Sequence, residues 1–273
     1  MKYTLQSIKY VARNFIYLFP FAIFPAIFLA ISLDEVALNS VLTSFFSGEI
    51  KDWTFFNLFC SISVLNFGNW KSIVSGIVGI IVFIPSVAFL MALLEKHFRI
   101  GKRTYNGLLS KLNDNLLSTA GYGILLIAIY ELWSLLSASV LFVTSLFPIP
   151  VAYVLAVLVF LVSNLLLVYF IGMIYLWLPC MQITGFKPLE ALYYSYQLAS
   201  PIKWRISFSQ SLFLIFAEAL TGLCALFVPS TVVIFLPIAT ALYLVMIMVF
   251  CVRMQIAYFD RDTIERADLV KYY

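Results

Sequence analysis

Long apolar runs alternate along the chain with short charged connectors, and the runs have the length of a bilayer crossing. A hydrocarbon core about 30 Å thick takes about 20 apolar residues in a helix. Runs of that kind cover residues 14–33, 72–94, 117–146, 151–178, 206–228 and 231–252, and they predict six transmembrane helices. The third run exceeds a crossing, which predicts a tilted helix or one that begins late. Residues 148–150 alone separate the third run from the fourth, and residues 228–231, around Pro229, separate the fifth from the sixth. Both connections read as tight hairpins. Pro20, Pro25, Pro85 and Pro237 lie inside runs and predict kinks.

The connectors give the direction. Positively charged loops stay in the cytoplasm. Lys2, Lys9 and Arg13 precede the first run; Lys96, Arg99, Lys102, Arg103 and Lys111 follow the second. Lys187, Lys203 and Arg205 follow the fourth, and Arg253, Arg261, Arg266 and Lys271 follow the sixth. These are 15 of the 17 basic residues, and only Lys51 and Lys71 fall on the other side. The split predicts a multi-pass protein of the cell membrane with both termini cytoplasmic.

The first outer connector, residues 34–70, is too apolar to float in water. Its stretch 36–46 follows Asp34 and Glu35 and ends at Gly48, which predicts an amphipathic surface helix. The apolar segment 53–67 is about 22 Å long as a helix, too short to cross, and reads as a second surface helix or a re-entrant piece. Were it to cross, the most basic connector would face outward. Trp70, Trp177 and Trp204 sit at run ends, the headgroup zone that suits indole rings. Ser72, Ser75, Gly76 and Gly79 make a small-residue pattern that lets another helix approach.

Composition agrees. The chain is 63% hydrophobic and 11% charged, against about 25% charged in a soluble domain. The fold class is therefore all-α, a polytopic membrane helical bundle forming one integral membrane domain over residues 1–273, with the lipid bilayer as its first partner. A net charge of +4, scattered along the chain, gives no reason to expect nucleic acid. Residues 14–33 read as an uncleaved first span, since the run is longer than a secretory signal core and no small-residue cleavage motif follows. Cys60, Cys180, Cys224 and Cys251 are far apart, which argues against a zinc site or a disulfide framework. His97, flanked by Lys96 and Arg99, reads as a solvated interfacial side chain.

Two stretches share a layout. Gly101, a semi-polar helix over 104–112 and then Glu131 in the third span are matched by Gly185, a helix over Pro188–Ala199 and then Glu218 in the fifth. Gly101 and Glu131 are 30 residues apart, and Gly185 and Glu218 are 33 apart. The layout suggests a parallel internal repeat with two amphipathic helices on the inner surface. The same layout would also arise from topology alone, since each unit must carry a basic connector.

The run Gly185-Phe-Lys-Pro-Leu-Glu-Ala-Leu-Tyr-Tyr-Ser-Tyr-Gln-Leu, followed by Lys203-Trp204-Arg205 and a span, loosely resembles a group of poorly characterised bacterial six-span proteins. That group is related to the membrane domain fused to some glycerophosphodiester phosphodiesterases. The resemblance covers about 45 residues. It implies a six-helix membrane domain and supplies no catalytic residues, and the fused catalytic domain has no counterpart here.

Glu131 and Glu218 are the acidic residues deep within predicted spans. A carboxylate in hydrocarbon costs at least about 2.5 kcal/mol on insertion scales, so it turns inward and takes a partner or a proton. The pair could face one polar cavity for a cation, a proton or an amine-bearing ligand, with Asn164 as a neutral partner. Each could equally make a structural contact, or, for Glu131, sit in the outer headgroup zone near Trp133. No HExxH, GxSxG or phosphate-binding loop occurs, no lysine lies inside a span, and a single histidine excludes multi-histidine metal sites. The expectation is a non-enzyme without a cofactor. Two functions remain open: a transport component, either a small carrier or the membrane subunit of an exporter with a separate ATPase subunit, and a non-transporting assembly, lipid-binding or envelope-homeostasis factor.

Overall fold

The computed structural model describes residues 2–227 and 232–270, and every regular element among them is helical. In chain order these are α1 (Lys2–Arg13), α2 (Phe15–Ser32), α3 (Glu35–Ser47), a 3₁₀ turn (Ile50–Asp52), α4 (Phe55–Ile62) and α5 (Trp70–Ile100). They continue with α6 (Leu108–Ser145), α7 (Ile149–Met173), α8 (Trp177–Thr184), α9 (Pro188–Ala199), α10 (Lys203–Phe227) and α11 (Val232–Val270). Among the described residues, six stretches are long and apolar enough to cross a membrane: α2, α5, α6, α7 continued by α8, α10 and α11. The chain is a multi-pass helical membrane protein.

Close approach of small residues holds the centre together. In lipid no hydrophobic force draws helices together, so backbone proximity and van der Waals contact carry the association. Ala22, Ala26 and Ala30 recur every fourth residue on α2 and are buried against α5 and α11. Across from them, Ser72, Ser75, Gly76 and Gly79 of α5 are all buried. A Cβ on Gly79 would press on Phe28 and Leu29 of α2, and one on Gly76 would collide with the carbonyl oxygen of Val64. Leu18, Leu90, Met91, Leu94, Met248 and Val252 fill the interior towards the basic end. Exposed Leu117, Leu132 and Leu136 on α6 and Val154 and Val162 on α7 give an outer surface suited to acyl chains.

The connector between the first two spans forms its first helix as the sequence predicts. Asp34 caps α3 by accepting the Ala37 amide at 3.0 Å, and Gly48 ends it in the left-handed conformation, φ +92°. Segment 53–67 resolves into the eight-residue α4, which lies against α6 and α3, and an extended return that is bound by Glu131 of α6 and meets Gly76 of α5 at Val64. Pro20, Pro25, Pro85 and Pro237 each sit within an unbroken helix.

Several expectations are corrected. Residues 104–107 are loop, and the expected surface helix at 104–112 is the first turn of α6, which starts at Leu108 and continues through the span. Only the second unit keeps a separate surface helix, α9, so the two halves of the suggested repeat differ in architecture. The fourth span is interrupted: α7 stops at Met173 and α8 starts at Trp177. The helix of the sixth span continues beyond 252 to Val270. His97 is half-buried, hydrogen-bonded to the Tyr10 hydroxyl and stacked near Phe98, because α1 packs over it. The expected hairpin at 228–231 lies outside the described residues.

Helix α1 was hidden in the basic leader. Tyr3, Ser7, Tyr10 and Asn14 recur on one face and turn inward, whereas Lys2, Lys9 and Arg13 point out. Asn14 is buried between α1 and α2, and its side-chain amide donates to the Tyr10 carbonyl at 2.8 Å.

Candidate functional site

The two glutamates have different surroundings. Glu131 on α6 gathers the extended return after α4: its carboxylate accepts the Ser63 hydroxyl at 2.6 Å and the Val64 and Leu65 amides at 3.0 and 3.1 Å. The neighbouring Tyr130 hydroxyl donates to the Ile62 carbonyl at 2.8 Å. Backbone outside a helix must find partners when buried, and these two side chains supply them. Glu131 thus has a structural occupation.

Glu218 on α10 accepts one hydrogen bond, from the Asn164 amide of α7 at 3.0 Å. Asn164 is completely buried, and its carbonyl oxygen has no partner. The Tyr130 phenol lies within electrostatic reach of both glutamates and of Tyr243. The structure therefore brings Asn164 to Glu218, whereas the acceptors of Glu131 are engaged by the return segment.

A second polar centre sits at the basic end, and sequence reading passed over it. Arg253 on α11 is only 1% exposed. Its Nε donates to the Tyr175 hydroxyl at 2.7 Å, Nη1 to Ser209 at 3.3 Å and Thr4 at 3.5 Å, and Nη2 to the Gln210 carbonyl oxygen. The guanidinium also lies 5.1 Å from the centre of the Tyr175 ring. Every one of these partners is neutral. A buried charge without a counter-charge carries a desolvation penalty of several kcal/mol.

Arg253 lines a cavity of about 350 Å³ that also receives Lys2, Arg205, Arg261 and Asp260. The lone carboxylate is already committed: Asp260 accepts the Tyr3 hydroxyl at 2.6 Å and lies 3.3 Å from the Lys2 ammonium. Burial and the adjacent Asp260 push the Tyr3 phenol up to about 12, so it remains a donor throughout the physiological range. Arg261 has a buried Nε without a hydrogen-bond partner. The cavity is thus cationic, with Arg253 presented from below.

The sequence held one signal for this site. Arg253 is embedded between Phe250, Cys251, Val252 and Met254, so it is not the first residue of a solvated tail. Counting it as a loop charge concealed its burial.

No protein-family model, no curated protein and no solved structure matches the chain. The site therefore has to be judged from its own chemistry.

Proposed function

We propose that this is a cell-membrane protein, with both termini in the cytoplasm, that binds a phosphate-type anion in the cavity around Arg253. The burial of Arg253 among neutral partners carries this reading. Arg205 and Arg261 reach the same cavity, and its one carboxylate, Asp260, is held by Tyr3 and paired with Lys2. An anion would supply the missing counter-charge, and a guanidinium fork suits phosphate oxygens. The basic bias of the connectors supports a cytoplasmic location for this end. The reading assigns recognition of a ligand and no catalysis. It favours a lipid-binding or envelope factor over a carrier of hydrophilic solutes, since the interior between α2, α5 and α11 is filled by apolar side chains.

Thermal unfolding of the full chain in neutral detergent tests it. Phosphatidylglycerol or glycerol 3-phosphate should raise the midpoint relative to equal chloride, and Arg205→Gln with Arg261→Gln should remove the rise. At a hundredfold excess over Kd, a bound ligand adds about 2.7 kcal/mol to stability. No stabilisation by either anion would overturn the reading.

A further inference from the structure

The anion-binding cavity does not end at its charged residues. A second recess of about 270 Å³ is lined by Thr4, Leu5, Ser209, Leu212, Phe213 and Phe216, and it shares Thr4 and Ser209 with the cationic cavity. The two form one cleft with a change of character along it.

Its geometry follows from helix packing. Helix α1 lies on α11, and α10 lies mainly on α7 and α3 while also touching α11, so α1 and α10 flank a furrow. Along α10, Arg205, Ser209, Leu212 and Phe216 fall at helical spacing on one face. From Arg205 to Phe216 that face covers about 16 Å of helix axis. The basic end of the furrow is cationic, and moving along α10 away from that end it becomes apolar. Leu5, Leu212 and Phe216 are exposed there, and an acyl chain would cover them.

We infer that the anion is the phosphate of a membrane phospholipid of net negative charge, with its headgroup between Arg253, Arg205 and Arg261 and one acyl chain along Leu5, Leu212 and Phe216. This inference rests on the anion-binding reading and names the source of the anion. The order of charge then grease along one furrow is the order of a phospholipid. A soluble phosphate would use only half of it. The furrow opens sideways between α1 and α10, so a lipid can enter from the bilayer leaflet with its phosphate staying at headgroup level. Basic pockets between membrane helices on the cytoplasmic side are suited to such headgroups.

The test uses the full chain in neutral detergent with four probes: long-chain phosphatidylglycerol, its dihexanoyl analogue, glycerol 3-phosphate and long-chain phosphatidylcholine. Binding is read by native mass spectrometry and by thermal shift. The long-chain anionic lipid should bind at least about tenfold tighter than the dihexanoyl form, and phosphatidylcholine should bind weakest. Arg205→Gln and Arg261→Gln should each weaken the anionic lipid about fivefold. Leu5→Trp, which fills the apolar recess from the exposed face of α1, should weaken long-chain lipid and leave glycerol 3-phosphate unchanged. Glycerol 3-phosphate binding as tightly as long-chain lipid, with no effect of Leu5→Trp, overturns the lipid assignment while the anion site stands. Equal binding of phosphatidylcholine, or failure of every anion to bind, overturns both.

Discussion

Glu131 holds Ser63: the serine hydroxyl donates to its carboxylate across 2.6 Å, and the amides of the next two residues bind its other oxygen. One side chain from the middle of a spanning helix thereby supports the return from α4 to α5. The chain leaves α4 after Ile62, a helix of eight residues, and must bring its extended backbone back to the start of α5. Outside a helix those amides need acceptors from elsewhere in the protein.

Replacing Glu131 with Gln should therefore destabilise the protein without affecting the basic end. The amide nitrogen of glutamine cannot accept, so either the Ser63 hydroxyl or the Val64 and Leu65 amides lose their acceptor. The expected cost is about 1–3 kcal/mol for each buried group left unsatisfied. Thermal unfolding in detergent reads it, and Ser63→Ala should cost less than Glu131→Gln. Lipid binding at the Arg253 cavity, measured in parallel, should be unchanged.

A related contrast separates two glycines on α5. A Cβ on Gly76 would meet the backbone carbonyl of Val64, itself fixed by the Glu131 anchor, and has nowhere to go. A Cβ on Gly79 would meet the Leu29 side chain at 3.2 Å and the Phe28 Cβ at 3.3 Å, which a separation of α2 and α5 by a few tenths of an ångström relieves. Gly76→Ala should cost about 1–3 kcal/mol by overpacking, and Gly79→Ala distinctly less. Similar unfolding midpoints for the two variants would contradict the tight approach of the return segment to α5.

These elements also mark the limits of the sequence. Span positions, the α3 boundaries and the identity of α9 were legible, because periodicity, an aspartate cap and a terminal glycine act locally. The small residues of α5 were legible as a contact surface for the same reason. The true partner of Gly76 was not, since it lies on an extended segment whose path is set by Glu131, 67 residues away from Val64. Arg253 was missed for a different cause. Charge counting treats every basic residue near a span end as solvated, and only the packing of α1 and α10 over α11 buries this one. Helix α1 escaped notice because its lysines and arginine dominate its composition, while its inward face is polar and aromatic.

The Asn164–Glu218 contact predicts a measurable coupling. Asn164→Leu removes the one donor that Glu218 has from a side chain, leaving a carboxyl group among apolar neighbours. Glu218→Gln keeps an acceptor oxygen for Asn164 and removes the charge. The first variant should lower stability and the second should be neutral or stabilising, while a double-mutant cycle of Asn164→Leu with Glu218→Met, each of which removes the hydrogen bond, should give about 0.5–1.7 kcal/mol, the range seen for polar pairs in membranes. Proton or cation uptake that disappears in Glu218→Gln would instead assign the glutamate a functional role, so the same variants decide between contact and site.

The sharpest prediction concerns Arg253→Met. Without an anionic ligand the arginine bears its own desolvation cost, offset only by neutral hydrogen bonds to Tyr175, Ser209, Gln210 and Thr4. Methionine fits a similar volume, carries no charge and adapts to irregular space. In neutral detergent free of anionic lipid, the variant should unfold within about 1 kcal/mol of the parent chain, since lost hydrogen bonds and relieved desolvation oppose each other. With saturating phosphatidylglycerol the parent chain should gain stability and Arg253→Met should not, so the two curves separate only when the anion is present. A purely structural arginine would behave in the opposite way, with a large loss in the variant that is the same with and without lipid. Side-by-side melting curves at graded lipid concentrations distinguish the two, and they do so without knowing in advance which anionic lipid the cell supplies.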